Sequence, residues 1–546
     1  MKNKKLFIFG IDGATWDVLD PLMAQGSLPH MSKLIAEGRK GILLSSIPPD
    51  TATAWTTFQT GVNPGKHGIF DFNQYTAGSY SPTLINSEKI PQETIWQVLS
   101  RHRKRLLVLN VPVTYPPYPI NGRMVCGLLT PSLRSNFTFP EELAQEILSI
   151  EKDYTIITTQ QVFNRTSLAR FIEKLILTER KRTKVMHHLL QRGNWDVAMI
   201  HFQSTDPLQH AAFCYLDKAH PLFDPDKYHT ATKLYTSIDD NLGRLLDELP
   251  SDSIKVVLSD HGFASVYKTI HLNNFFIDQG LMTLKKSGIR SQSFLPALKT
   301  VRSIDQRFIR GLFSFRRGAS LRAKVKLDRF VDWPRTKASM MSGWLYGLVY
   351  LNCRDREQEG IVRMGKEYEE LRESIGQKLL SLEDPDTHKT VIKKVHKREE
   401  LYEGKRLKSA PDLVVIPEDG YEFSRSFLGK SKDVIKRNVL RKDHMGVHKR
   451  EGIFAFSGIT IDRKSTLNEA HIVDMFPTIL FALGIPIPDY TDGKILSDLF
   501  TENFKTNNPP VYEAQKEASD KSKKTDIFSE DDKKKIEKRL KDLGYM

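Results

Sequence analysis

The sequence predicts an α/β protein: a largely parallel central sheet with helices on both faces. Two observations predict it. Short apolar runs recur along the chain, and amphipathic stretches separate them. A run that is apolar throughout suits a strand buried on both faces, whereas a strand facing water on one side would alternate apolar with polar.

The first run is Leu6–Ile11 (LFIFGI), behind a basic start, MKNKK. That start resembles a signal peptide. The apolar run is too short for one and no small-residue cleavage site follows, so it reads as the first strand. Further strands are expected at Arg105–Val111, Asp196–Phe202, Ile254–Leu258, Asp412–Ile416 and Ile453–Ser457. Among the helices, His229–Leu249 places Leu234, Ile238, Leu242 and Leu245 on one side. No run approaches the roughly 18 apolar residues of a membrane span.

Composition bounds the function. The chain has 546 residues, 40% of them hydrophobic, and a formal net charge of +15. Its three cysteines, Cys126, Cys214 and Cys353, are too few and too scattered for a disulfide framework or a Cys-based zinc finger. A reducing, cytoplasmic setting is expected, peripheral to the membrane if the basic charge seeks lipid. That charge is local. Lys285–Arg329 holds thirteen Lys/Arg against Asp305 and Asp328, a net +11, which leaves +4 for the rest of the chain. The same segment carries Phe294, Leu298, Val301, Phe308, Leu312 and Phe315 at helical spacing. It reads first as an inserted cap packing this stripe on the core. The second reading is a basic amphipathic element for an anionic membrane or polyanion. No nucleic-acid motif is evident. The expected organisation is a first part of the core at 1–270, an insertion or cap region at 271–400 containing 285–329, a return to the core at 401–505, and a charged tail at 506–546 that ends in a helix-like stretch.

The chemistry lies at the ends of the runs. Asp12 follows the first, Asp206 lies just beyond MIHFQST, Asp260 and His261 follow VVLS, and His448 precedes EGIFAFS. In open α/β sheets, ligands collect beyond the carboxyl ends of strands. Carboxylates mixed with imidazoles there suit a divalent cation. In PPDTATAWTTFQTG the extended Pro-Pro-Asp leads into a helix with Thr51 as its N-cap, where a hydroxyl faces free backbone N–H groups and the positive dipole end. Simple capping is the alternative role for Thr51. In DPLQH, Asp206 is expected as N-cap and His210 one turn on, a spacing that serves either one metal or a cap beside a surface histidine.

Taken together, FGIDGATWD, the PPxTxxAWTTFxTGxNPGKHGIFDF block, DPLQH, SDHG and HKREGIFAFSG resemble the alkaline phosphatase superfamily, in particular its type I phosphodiesterase/nucleotide pyrophosphatase group. DWPRTKA, APDLVVIP and DMFPTILFALGIPIPDYTDGKIL extend the resemblance over most of residues 5–500. The resemblance implies an alkaline-phosphatase-like fold and two divalent cations, zinc with manganese as the alternative. One would be held by Asp12, Thr51, Asp260 and His261, the other by Asp206, His210 and His448, with His444 as the rival to His448. It implies Thr51 as the catalytic nucleophile, a phosphothreonine intermediate and a phosphate-ester substrate. The alternatives are a phosphomonoesterase, a metal-dependent phosphomutase, or a non-catalytic relative that binds a polyanion or membrane. The sulfatase signature, Cys or Ser followed by x-Pro-x-Arg, is absent; Thr51-Ala-Thr-Ala-Trp55 stands in its place.

Overall fold

The structure, a computed structural model, describes residues 5–75, 78–157, 167–285, 330–424, 434–437, 445–514 and 527–543. Its centre is a sheet of strands β1 (Leu6–Ile11), β2 (Gly38–Leu44), β3 (Leu106–Leu109), β4 (Gly122–Val125), β5 (Thr138–Phe139), β6 (Val197–Phe202), β7 (Ile254–Leu258), β8 (Glu451–Ser457) and β9 (Glu469–His471). Their spatial order is β9-β2-β8-β7-β1-β6-β3-β4-β5. The middle, β7-β1-β6-β3-β4, is parallel throughout, while β8 runs antiparallel to both its neighbours. The fold is therefore the expected α/β sandwich, with a mostly parallel sheet.

Strand β1 shows why the sheet needs two covers. Phe7, Phe9 and Ile11 enter one apolar cluster, with Leu175, Val185, Leu234 and Leu242 from the helices Leu168–Gln191 and Pro225–Leu246. Leu6 and Ile8 enter the other, with Trp55, Phe58, Phe476 and Ile479 from Thr51–Thr60 and Met475–Ala482. Alternating side chains thus meet helices on both faces, and the run is apolar without a break. The predicted helix at His229–Leu249 begins earlier, at Pro225, because Asp224 caps it by accepting from the backbone N–H groups of Asp226 and Lys227.

One predicted strand lies elsewhere. The run at Asp412–Ile416 forms Leu413–Pro417, inside a separate antiparallel sheet with Ala338–Ser342, Gly347–Leu351 and Ile392–Lys397. Leu413 and Val415 face a cluster with Ile375 and Leu379 of the helix Lys366–Leu380, and Val414 faces a different cluster with Leu348 and Tyr346. Burial on both faces gives the same apolar run whether the sheet is parallel or antiparallel. This second sheet draws strands from both sides of residue 400. Nearly all of the basic segment lies outside the described residues.

The charged C-terminal stretch is docked. Ser529 caps the helix Glu530–Asp542, whose Ile536 and Leu540 are fully buried against Phe528, Ala52, Ile69 and Val113. Arg539 donates to the backbone carbonyls of Thr130 and Pro131. No described helix is long and apolar enough to cross a membrane.

Candidate active site

The carboxyl ends of β1, β6 and β7 lie side by side, and each delivers a buried Asp just beyond the strand or at the start of the following helix. Asp12 follows β1, with its N–H donating to the carbonyl of Phe202 at 2.9 Å. Gly13 then turns the chain at φ +67°, where a Cβ would lie 2.6 Å from the Phe263 ring, so glycine is required. The Gly13 N–H donates to Asp260 Oδ1 at 3.1 Å and ties the β1 and β7 ends together.

Two local expectations change. Asp50, not Thr51, is the N-cap of Thr51–Thr60, accepting from the Ala52 N–H at 3.0 Å. The cis Ile47–Pro48 bond and Pro49 lead up to Asp50, which is one position closer to them than Thr51. Thr51 is thus the first helical residue, and its Oγ1 lies 3.2 Å from His261 Nε2. Likewise Asp206 is not a cap. Ser204 precedes the helix Thr205–Leu216, leaving Asp206 in the first turn with its carboxylate turned to His210 one turn on.

His448 arrives by a third route. It lies on Gly446–Lys449, which pairs antiparallel with Gly262–Ser265 in the register Phe263↔His448. That ribbon stacks the His448 ring on His261, with centroids 3.5 Å apart. His444 lies outside the described residues.

Two groups result. Asp206, His210 and His448 form one, and Asp12, Asp260 and His261 the other; all six side chains are buried and within metal-coordinating reach of their group mates. In the first, His448 Nε2 lies 3.1 Å from Asp206 Oδ1 and 3.0 Å from His210 Nε2. In the second, His261 Nε2 lies 3.3 Å from Asp260 Oδ2 and 3.6 Å from Asp12 Oδ1. The outer ring nitrogens face backbone carbonyls: His210 Nδ1 faces Gly446 at 3.0 Å, His448 Nδ1 faces Pro49 at 3.0 Å, and His261 Nδ1 faces Gly262 at 3.2 Å. Those bonds set the tautomers and direct every Nε2 inward, as metal-binding imidazoles require.

The electrostatics fit a cation. Burial, then Asp260 and Asp206, hold the Asp12 carboxyl far above the ordinary range. Burial pushes Asp260 up to about 8. Burial also pushes Asp206 upward, but His210 and His448 outweigh it and hold that carboxyl below its usual value. Burial lowers His448 to about 4 and, with His448 as neighbour, takes His261 well down, so both rings are neutral. Oxygens Oδ1 and Oδ2 of Asp12, Oδ2 of Asp206 and Oδ2 of Asp260 are buried without a hydrogen-bond partner. Unpaired buried carboxylate oxygens beside inward-facing neutral imidazoles are the donor set for divalent cations with mixed O/N ligands.

His201, which the sequence reading did not single out, also lies here. It is the one imidazole within the otherwise apolar run VAMIHF, and that isolation is the signal that could have found it. His67, from the NPGKHG turn, is a packed residue: its Nε2 meets Thr57 Oγ1 at 3.1 Å, its Nδ1 accepts from the Ile69 N–H, and burial takes it to about 3.

A parallel sheet with Asp/His groups and a buried threonine hydroxyl at its carboxyl edge is the architecture of the phosphoester hydrolases of the alkaline phosphatase superfamily. Residues 6–448 match the family model for type I phosphodiesterase / nucleotide pyrophosphatase, and the chain belongs to that family. Its fold is similar to that of phosphonoacetate hydrolase from Sinorhizobium meliloti 1021 in complex with phosphonoformate, with a TM-score of 0.53 at 14% identity, over 87% of this chain and 94% of that one. Murine ectonucleotide pyrophosphatase / phosphodiesterase 5 aligns over 91% of this chain and all of its own, at 13% identity and a TM-score of 0.48. No curated protein matches the sequence.

Proposed function

We propose that the protein is a metal-dependent hydrolase of phosphoric esters, phosphodiesters or nucleotide pyrophosphates, acting through a phosphothreonine on Thr51. One observation carries the reading: two buried Asp/His groups adjoin through the His261–His448 stack, and the Thr51 hydroxyl lies against one of them. Asp12, Asp260, His261 and Thr51 would hold one divalent cation, and Asp206, His210 and His448 a second. Zinc suits the donors, with manganese as the alternative. Bound cations supply Lewis-acid polarisation of the phosphoryl oxygens and lower the proton affinity of an adjacent hydroxyl.

The chain's own residues do the rest. Helix Thr51–Thr60 aims its N-terminal N–H groups and positive dipole end at the position where a phosphoryl group would sit, and Asp50 holds that end by capping it. Thr51 Oγ1 attacks phosphorus in line and displaces the ester's leaving oxygen. Water then displaces Thr51 and restores the hydroxyl. Two in-line displacements predict net retention of configuration at phosphorus, which a chiral thiophosphate diester reads directly; inversion would exclude the phosphothreonine. Thr51→Ala should lower turnover by about 10³-fold or more while the metal content stays near wild type. Near-normal turnover in that variant would remove Thr51 from the chemistry. The ratio of diester to monoester turnover separates the phosphodiesterase reading from a phosphomonoesterase.

A further inference from the structure

We infer that His201, which belongs to neither Asp/His group, is a positioning residue that fixes the Asp12 carboxylate for the first cation; this rests on the metal reading above. His201 sits in β6 and is 1% exposed. Its Nε2 lies 3.0 Å from Asp12 Oδ2, off the hydrogen-bond line, while Oδ1 of the same carboxylate is 3.6 Å from His261 Nε2. The two oxygens are thereby divided, one toward His201 and one toward the metal group. The ring also meets the backbone of Asn110, and Asp12 is the carboxylate it faces. An imidazole in so apolar a strand is costly without polar partners, and these two supply them.

The surroundings are built around this ring. Gly10 of β1 is the register partner of His201. A Cβ on Gly10 would come 2.9 Å from Trp55 Cη2 and 3.2 Å from His201 Cδ2, so β1 omits a side chain where those two rings meet. The Trp55 ring stands edge-on to the imidazole, centroids 4.9 Å apart at 84°. Behind the strand, Arg182 donates to the His201 carbonyl at 3.3 Å and pairs with Glu179 at 3.1 Å, and Glu179 accepts from the Ser204 N–H at 2.8 Å. Ring and backbone are both held, and outer partners of this kind orient metal-binding groups.

The test is Co²⁺ titration of the metal-stripped full-length protein, followed by visible absorption and calorimetry. Wild type should bind in two phases, and a His448→Ala background should leave the phase that reports the Asp12 group. In that phase His201→Leu should weaken Co²⁺ by about 10–100-fold. His201→Gln, which keeps an N–H donor, should restore affinity to within about threefold. Should His201→Leu not fold, His201→Phe takes its place in the same comparison. Unchanged Co²⁺ affinity in His201→Leu or His201→Phe overturns the inference alone. Equal losses with Gln and with the apolar residues overturn it too, because packing would then explain them. A wild-type protein that binds no Co²⁺ overturns the metal reading and this inference together.

Discussion

Asp12, Asp206 and Asp260 bring three carboxylates into a space shielded from water, and of the three Asp206 is the one that its imidazoles, His210 and His448, hold below the usual range. The other two are held above their usual range, Asp260 at about 8. A divalent cation must therefore displace protons. Binding near neutral pH should release them, and apparent affinity should rise with pH at least through about 8, where Asp260 loses its proton. Calorimetry in buffers of differing ionisation enthalpy counts the released protons; an affinity flat between about pH 6 and about 8 would contradict the assignment. At this scale much was legible, because Asp12, Asp206, Asp260, His261 and His448 stand at the ends of apolar runs and His210 follows Asp206 by one helical turn. Two things were not. Asp50 and Thr51 are both good N-caps, and composition does not say which the helix uses. His201 is read as one polar letter in a strand until the fold sets Asp12 beside it.

Among the elements, the helix Glu530–Asp542 has the least expected role. Its sequence is so charged that it reads as a solvated tail, yet Ile536 and Leu540 are buried in the same cluster as Ala52, next to Thr51. Leu540→Ala should cost about 2–5 kcal/mol, read as a lower denaturation midpoint in urea. A loss under about 0.5 kcal/mol would mean that the helix is not docked in solution. Strands followed the same logic of what surrounds them. Leu6–Ile11 and Ile254–Leu258 were read at their exact bounds because both faces are covered. Gly38–Leu44 (GRKGILL) gave no signal, since Arg39 and Lys40 are only half-buried in it. The run Asp412–Ile416 was read as a strand of the central sheet but forms Leu413–Pro417 in the second one, because an apolar run records burial and not its partners.

On the scale of the whole molecule, charge and chemistry are separate. The segment Lys285–Arg329 carries +11 of the net +15, and the site lies in the mildly basic remainder. A packed cap predicts no dependence of vesicle flotation on lipid charge, and that is the expected outcome. Flotation that requires acidic lipid and is lost in high salt would instead establish the segment as a membrane-seeking element.

The ribbon that pairs Gly262–Ser265 with Gly446–Lys449 also sets when the proposed site can be complete. Asp206 and His210 wait some 240 positions for His448. A growing polypeptide on the ribosome can complete its first donor group once residue 261 has emerged, but the second stays open until more than four-fifths of the chain is made. Fragments ending before Gly446 are thus expected to be inert however well they fold. Under the proposed function, hydrolysis is then expected only from chains that have reached His448.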